Sequence, residues 1–147
     1  MAREHATIKM SPEEVAAFAS GESRCIVGTL DDEGGPWGDA AACIYRGDRF
    51  YFRVPDGSRT LRNLERDDRV CCAIESHPAG ADYYTIKAAI FHGRALRDAG
   101  DADQELAGIF ARRPDPVDGG TQGVIFSVGV DDVVSFDFAK ILRRFEQ

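Results

Sequence analysis

The chain has 147 residues, of which 44% are hydrophobic, and it carries a formal net charge of -7. This length suits one domain spanning residues 1–147 with a sizeable core. The negative charge argues against broad binding to nucleic acid or to an anionic membrane surface, and no apolar segment approaches the roughly 18 residues of a membrane span. We therefore expect a cytoplasmic protein that binds neither.

The four cysteines are Cys25, Cys43, Cys71 and Cys72, and none forms a CxxC pair. All four lie in apolar segments with the pattern of strands. Buried free thiols in a reducing compartment are the main expectation, and a single reactive thiol is the alternative.

The first predicted element is a helix that begins after Ser11. Ser11 is suited to cap it, Pro12 suits the first helical position, and Glu14 stands three residues after the cap. Val15 and Phe18 are three residues apart and can pack on one side. We expect a small helix that covers one end of a barrel.

A period-two pattern then predicts three consecutive strands. They run from Arg24 to Leu30, from Pro36 to Tyr45 and from Arg49 to Val54, with short polar turns between them. The second strand is rich in small residues, which permit either close approach of a ligand or tight packing against a large neighbour. Short turns favour an antiparallel meander.

After the third strand, Gly57, Ser58, Arg59 and Thr60 stand where a short helix begins. A helix start offers unpaired backbone N–H groups and the positive end of the helix dipole. The hydroxyls and the arginine could hold a phosphate there. In the alternative interpretation Ser58 is only a helix cap and Arg59 is only solvated.

Leu61 and Leu64 mark the buried face of this helix, which leaves other positions to solvent or to a partner: Arg62, Asn63, Glu65 and Arg66.

The remaining pattern predicts further strands over Val70–Glu75, Tyr83–Leu96, Val124–Val130 and Val133–Phe138. Asp101 is suited to cap a helix from about Ala102 to Arg112, and an irregular, mobile loop is expected from Arg113 to Gly120. Together the elements predict a mainly β, α+β fold: an antiparallel split β-barrel of six to seven strands with short peripheral helices.

Few side chains suggest direct catalysis. The histidines His5, His77 and His92 lack the spacing of metal ligands, and no nucleophile elbow, Walker loop or GxGxxG is present. We therefore name no catalytic residue and no metal site.

The order of elements and the segment RTLRNLERDDRV resemble the pyridoxamine 5'-phosphate oxidase-like split β-barrels. The resemblance covers nearly the whole chain, and it implies FMN or coenzyme F420 as cofactor. Ser58 and Arg59 match a Ser-Arg-Lys run that grips the cofactor phosphate, while Thr60 replaces the lysine. Arg53 and Val54 fall where family members touch the cofactor.

Gly57 and Arg62 complete the implied cofactor contacts at this corner. Trp37 is expected to contact the ring or a subunit interface, and plain packing in the core is the alternative. The resemblance also implies a homodimer with the cofactor between subunits. The C-terminal SFDFAKILRRFEQ lacks the substrate-binding arginine motif of true pyridoxamine phosphate oxidases, so that reaction is not expected.

The resemblance implies an oxidoreductase that transfers a hydride to or from a small organic substrate on its flavin or deazaflavin. Two alternatives stay open. One is a barrel that binds flavin or haem without turnover, and the other is a dimeric interaction module.

Overall fold

The computed structural model describes residues 8–80, 82–98 and 104–143. Within them an eight-stranded antiparallel sheet is flanked by four short helices, which confirms the mainly β, α+β prediction. The strands are β1 (Arg24–Leu30), β2 (Pro36–Arg46), β3 (Arg49–Val54), β4 (Arg69–Ser76), β5 (Lys87–Arg94), β6 (Leu96–Arg97), β7 (Val124–Gly129) and β8 (Val133–Asp137). The helices are α1 (Pro12–Ser20), α2 (Arg59–Arg66), α3 (Gln104–Phe110) and α4 (Ala139–Arg143).

The sheet has the strand order β6-β7-β3-β2-β1-β4-β5-β8. β6 continues from β5 after a single residue, Ala95, yet β5 pairs with β4 and β8 whereas β6 pairs with β7. The segment β5–β6 therefore runs from the strand next to one end of the strand order to the strand at the other end, and the sheet curls into a split barrel.

The inward face of the sheet forms the main core. Along β1 the buried positions alternate, as the period-two pattern predicts: Cys25, Val27 and Thr29 point inward. β3 contributes two buried phenylalanines, and the ring of Phe50 stacks on that of Phe91 with centroids 4.8 Å apart.

The outward face of the sheet is covered over one half. Helix α3 packs on the outside of β2, where Leu106 and Phe110 form a second apolar cluster with Ala42 and Ile44. The other half carries an apolar row that crosses five strands. Its members are cross-strand neighbours, namely Ala40, Ile26, Ala73, Ile90 and Val134.

Helix α1 begins as predicted. Ser11 accepts a hydrogen bond from the Glu14 N–H, and the Glu14 carboxylate accepts one from the Ser11 N–H, which is a complete capping box. Val15 and Ala19 are buried against the barrel. No helix in the described part of the chain is long and apolar enough to cross a membrane.

Two predicted elements differ from the structure. The expected strand start at Tyr83 is wrong, because Tyr83–Thr85 forms a 3₁₀ turn capped by Asp82, whose carboxylate accepts a hydrogen bond from the Tyr84 N–H. The helix predicted from about Ala102 to Arg112 is observed only as α3. Its proposed cap Asp101, like His5, lies outside the described residues.

Candidate functional site

The corner between β3 and α2 is built by a glycine turn and a serine cap. Gly57 has a φ of +71°, a conformation that side chains disfavour, and it turns the chain into the helix. Ser58 has extended backbone angles, and its hydroxyl accepts a hydrogen bond from the Leu61 N–H at 3.2 Å. The guanidinium of Arg62 folds back and donates to the Gly57 carbonyl at 2.8 Å.

The first turn of α2 retains unpaired donors. The N–H groups of Arg59 and Thr60 make no hydrogen bond within the described part of the chain, as expected for the start of a helix. The side chains of Arg59 and Arg62 are both exposed beside them. The corner therefore offers backbone donors, the positive end of a helix dipole and two cationic groups to an anion.

Thr60 faces the other way. Its side chain is buried, and its hydroxyl donates to the Asp39 carboxylate at 3.3 Å. Asp39 was not among the residues singled out from the sequence. The Thr60 hydroxyl is thus engaged inside the protein, and an anion at this corner must lie on the side of Arg59 and Arg62.

Trp37 lies on the same face of β2 as Asp39. Its position alternates with the small residues Gly38 and Ala40, so its ring is on the opposite face of the strand from them. The ring contacts Arg59, whose guanidinium carbon is 4.6 Å from the ring centre. The indole Nε1 is buried without a hydrogen-bond partner among the described residues.

Asn63 corrects an expectation. The sequence pattern placed it toward solvent or a partner, but it is buried and its amide donates to the Thr29 hydroxyl at 3.0 Å. Arg66 donates to the Asn63 amide oxygen at 3.3 Å and to the Leu30 carbonyl at 2.7 Å. Asn63 therefore docks α2 on β1, a role that its position one residue before Leu64 on the buried stripe could have indicated.

Arg53 and Val54 close β3 with both side chains buried. The two terminal nitrogens of Arg53 donate to four backbone carbonyls, those of Phe110, Arg113, Gly120 and Thr121. Burial lowers the pKa of this guanidinium from its ordinary value. The structure thus engages the Arg53 side chain with the protein itself, and the cofactor contact that the resemblance implied for Arg53 and Val54 stays a prediction.

A cleft of about 370 Å³ opens on the outward face of the sheet. Its floor and sides are formed by Arg24, Cys25, Ile26, Ala40, Ala73, Ile74, Glu75 and Pro116. Ala40 also lines a small gap with Asp39, Arg53 and Thr60, so this alanine borders both the cleft and the buried inner side of α2. The small residues of β2 had indicated either close approach of a ligand or tight packing against a large neighbour, and Pro116 gave no signal in the sequence.

These elements form an antiparallel split β-barrel with a helix-start corner at α2 and a cleft on its outward face. The chain belongs to the pyridoxamine 5'-phosphate oxidase family, whose model matches residues 11–114. The resemblance inferred from the sequence is therefore confirmed. No curated protein matches the sequence.

Solved structures share the fold at low sequence identity. A conserved hypothetical protein from Mycobacterium tuberculosis has a TM-score of 0.68 at 20% identity, covering 90% of this chain and 88% of that one. An FAD-binding protein from Mesorhizobium loti also reaches 0.68, at 14% identity and coverages of 86% and 93%. A heme storage protein from Vibrio cholerae reaches 0.65, at 18% identity and the same coverages.

Proposed function

We propose that this protein is a homodimeric oxidoreductase that binds FMN or coenzyme F420 and transfers a hydride to or from a small organic substrate. The observation that carries the proposal is the helix-start anion corner of α2, and the apolar cleft on the outward face is the candidate site for a ring or a substrate. Family membership supports the same class of cofactor.

The α2 corner fits the phosphate of either cofactor. Because the protein is acidic overall, an anion needs a local positive site, and the N–H groups of Arg59 and Thr60 with the guanidinium groups of Arg59 and Arg62 supply one. The Ser58 hydroxyl accepts the Leu61 N–H and keeps its own hydrogen available to an acceptor. Asp39 repels an anion from the buried side of α2, so the phosphate lies on the exposed side with Arg59 and Arg62.

The outward cleft fits a planar ring. Ala40 and Ala73 are small, so this part of the floor leaves room for an aromatic system, and the exposed side chain of Ile26 adds an apolar surface beside them. Arg24 and Glu75 also line the cleft and can bond polar groups of a ring or substrate. When bound, the cofactor supplies the hydride chemistry at its own ring, and the protein contributes binding, orientation and exclusion of water.

The apolar row on the outward face supports a homodimer. Ile26 and Val134 are each 52% exposed although they belong to a continuous row that crosses five strands. Such an exposed apolar surface is typical of an interface. A second copy on this face would cover the cleft and enclose the ring.

Titration with FMN, riboflavin and F420 tests the cofactor assignment. We expect saturable binding of FMN or F420, and an Arg59→Ala variant is expected to weaken FMN binding about tenfold or more while riboflavin, which lacks the phosphate, binds as before. The control is Arg97→Ala, which removes an exposed arginine from β6. Binding of neither cofactor would overturn the proposal.

Sedimentation tests the dimer. An Ile26→Glu variant places a charge on the exposed row, and we expect it to shift the protein from dimer to monomer. A wild-type protein that sediments as a monomer at all concentrations would contradict the assembly.

Haem binding without turnover is a second candidate. His92 is exposed on the outward face, directly across the strands from Cys71, and imidazole and thiolate are side chains that bind haem iron. The similar fold of the Vibrio cholerae heme storage protein supports testing it. Titration with haemin should give a Soret shift that His92→Ala abolishes if this candidate is correct.

A further inference from the structure

Arg53 is an unusual residue for the end of a barrel strand, since it is a full cation with 1% of its surface exposed. Its side chain lies on the outward face of β3, beneath the segment that follows α3. All four N–H bonds of its terminal nitrogens point at carbonyls of residues 110–121. A planar fork with several fixed donors can hold a loop in a way that lysine cannot.

The loop that Arg53 holds is ordered by its own bonds as well. The buried Asp115 carboxylate accepts hydrogen bonds from the Val117 N–H at 2.9 Å and from the Asp118 N–H at 3.1 Å. The Asp115 N–H donates to the Gly120 carbonyl at 2.7 Å. These bonds form a compact turn with Pro116 and Val117 at its tip.

Both ends of residues 111–123 are attached to the barrel. The Arg113 guanidinium donates to the Cys43 carbonyl on β2. At the other end Gly123 has a φ of +151°, and a Cβ there would come within 2.4 Å of the Val54 carbonyl oxygen. Only glycine permits this close approach to β3, so the loop rejoins the sheet at a defined place.

Pro116 is the part of this loop that reaches the cleft. It lines the cleft opposite the strand residues of β1 and β4, whereas its neighbour Val117 is 70% exposed and does not line it. The apolar Pro116 ring therefore forms a wall where the helix-covered half of the outward face meets the open half.

We propose that Arg53 is a positioning residue that fixes residues 111–123, and that Pro116 on this loop determines which rings the cleft accepts. The inference rests on the proposed function in that the cleft takes the planar ring of the cofactor or substrate. A fixed wall selects ligands by width, because the loop cannot retreat without breaking the bonds to Arg53.

Riboflavin is the probe, since it carries the ring without the phosphate and reports on the cleft separately from the α2 corner. We expect Pro116→Trp to weaken riboflavin and FMN binding about tenfold or more, with the unfolding midpoint unchanged. Val117→Trp is the matched control on the same loop and should change either affinity less than about twofold. Equal effects of the two variants would overturn the role of Pro116.

Hydrogen exchange tests, without any ligand, whether Arg53 fixes residues 111–123; this role of Arg53 is called the clamp. In Arg53→Lys the amides of residues 111–123 should exchange faster than in the wild type. The same variant should also bind riboflavin more weakly. Faster exchange with unchanged affinity would overturn the link between the loop and the cleft, and unchanged exchange would overturn the clamp.

The two proposals fail differently. If the wild type binds no riboflavin, FMN or F420, the proposed function fails and the role of Pro116 as a ring-selecting wall fails with it, while the exchange data still decide the clamp. If flavin binds and only Arg59→Ala has an effect, the cofactor assignment stands and the wall is overturned.

Discussion

The guanidinium carbon of Arg59 lies 4.6 Å from the centre of the Trp37 ring, so the first residue of α2 is stacked on the second residue of β2. This contact gives an exposed arginine a fixed support at the anion corner. It also places Trp37, the single tryptophan of the chain, next to the group that we propose binds the phosphate.

The Trp37–Arg59 pair should be energetically coupled. A double-mutant cycle with Trp37→Leu and Arg59→Ala is expected to give an interaction energy of about 0.5–1 kcal/mol, the range of exposed cation–π pairs. Urea unfolding of the four proteins measures it. A Trp37→Phe variant keeps part of the coupling because it retains an aromatic face, and a coupling energy near zero would show that the stacking contributes nothing.

Arg53 should be important for stability whether or not a cofactor binds. Arg53→Met removes the donors of four backbone carbonyls, and we expect the free energy of unfolding to fall by about 2–4 kcal/mol. Arg62→Met, which removes an exposed arginine with one bond to the Gly57 carbonyl, should cost less than about 1 kcal/mol. Similar losses of unfolding free energy in the two variants would show that Arg53 stabilises the fold no more than an ordinary exposed arginine does.

The Glu14 carboxylate links α1 to α4 and should make stability depend on acid pH. Its hydrogen bond with the Lys140 ammonium at 2.7 Å, followed by that with the Ser11 N–H, lowers its pKa from 4.5 to about 2. Because the pKa is lower in the folded state, the stabilisation is present above pH 4.5 and is lost as the pH falls toward 2.

Glu14→Gln should flatten the pH dependence of unfolding within that window. The pair is partly exposed, with 39% of the Glu14 side chain accessible, so solvent screens it and the effect is expected to stay below about 1 kcal/mol. Glu13→Gln, one residue earlier in the same turn, is the matched control. Identical pH profiles for the wild type and Glu14→Gln would contradict the linkage.

The four cysteine thiols should react with a labelling reagent at different rates, because they differ in burial. Cys25, Cys43 and Cys72 are buried, and a hydrogen bond with the Cys25 thiol, together with burial, raises the pKa of Cys43 far above its ordinary value. Cys71 alone of the four is partly exposed. We expect a thiol reagent to label one cysteine of the native protein rapidly and the other three only on unfolding.

Cys71→Ser should remove the rapid labelling. Rapid reaction of two or more thiols in the native protein would show that the core opens more readily than its packing indicates.

Local chemistry made much of the fold predictable. The alternation of Cys25, Val27 and Thr29 belongs to a strand because successive side chains point to opposite faces, and Ser11 and Ser58 cap helices because their hydroxyls reach N–H groups within the next turn. The start of the fifth strand was not predictable in this way, since the Asp82 cap competes with an apolar pattern that continues into β5.

The composition of the candidate site depended on tertiary structure. Gly57, Ser58, Arg59 and Arg62 could be assembled from sequence because they are close along the chain. That Thr60 turns inward to Asp39 depends on how α2 docks across β2, which sequence spacing does not specify.

The sequence by itself determined the strands, the caps and the helix-start corner, because these follow from interactions between residues a few positions apart. Only the tertiary structure decided that Asn63 is buried, that Arg53 holds residues 110–121, and that Pro116 reaches the cleft. Each of these depends on which face of a strand another segment covers, and that is set by the packing of residues far apart in the chain.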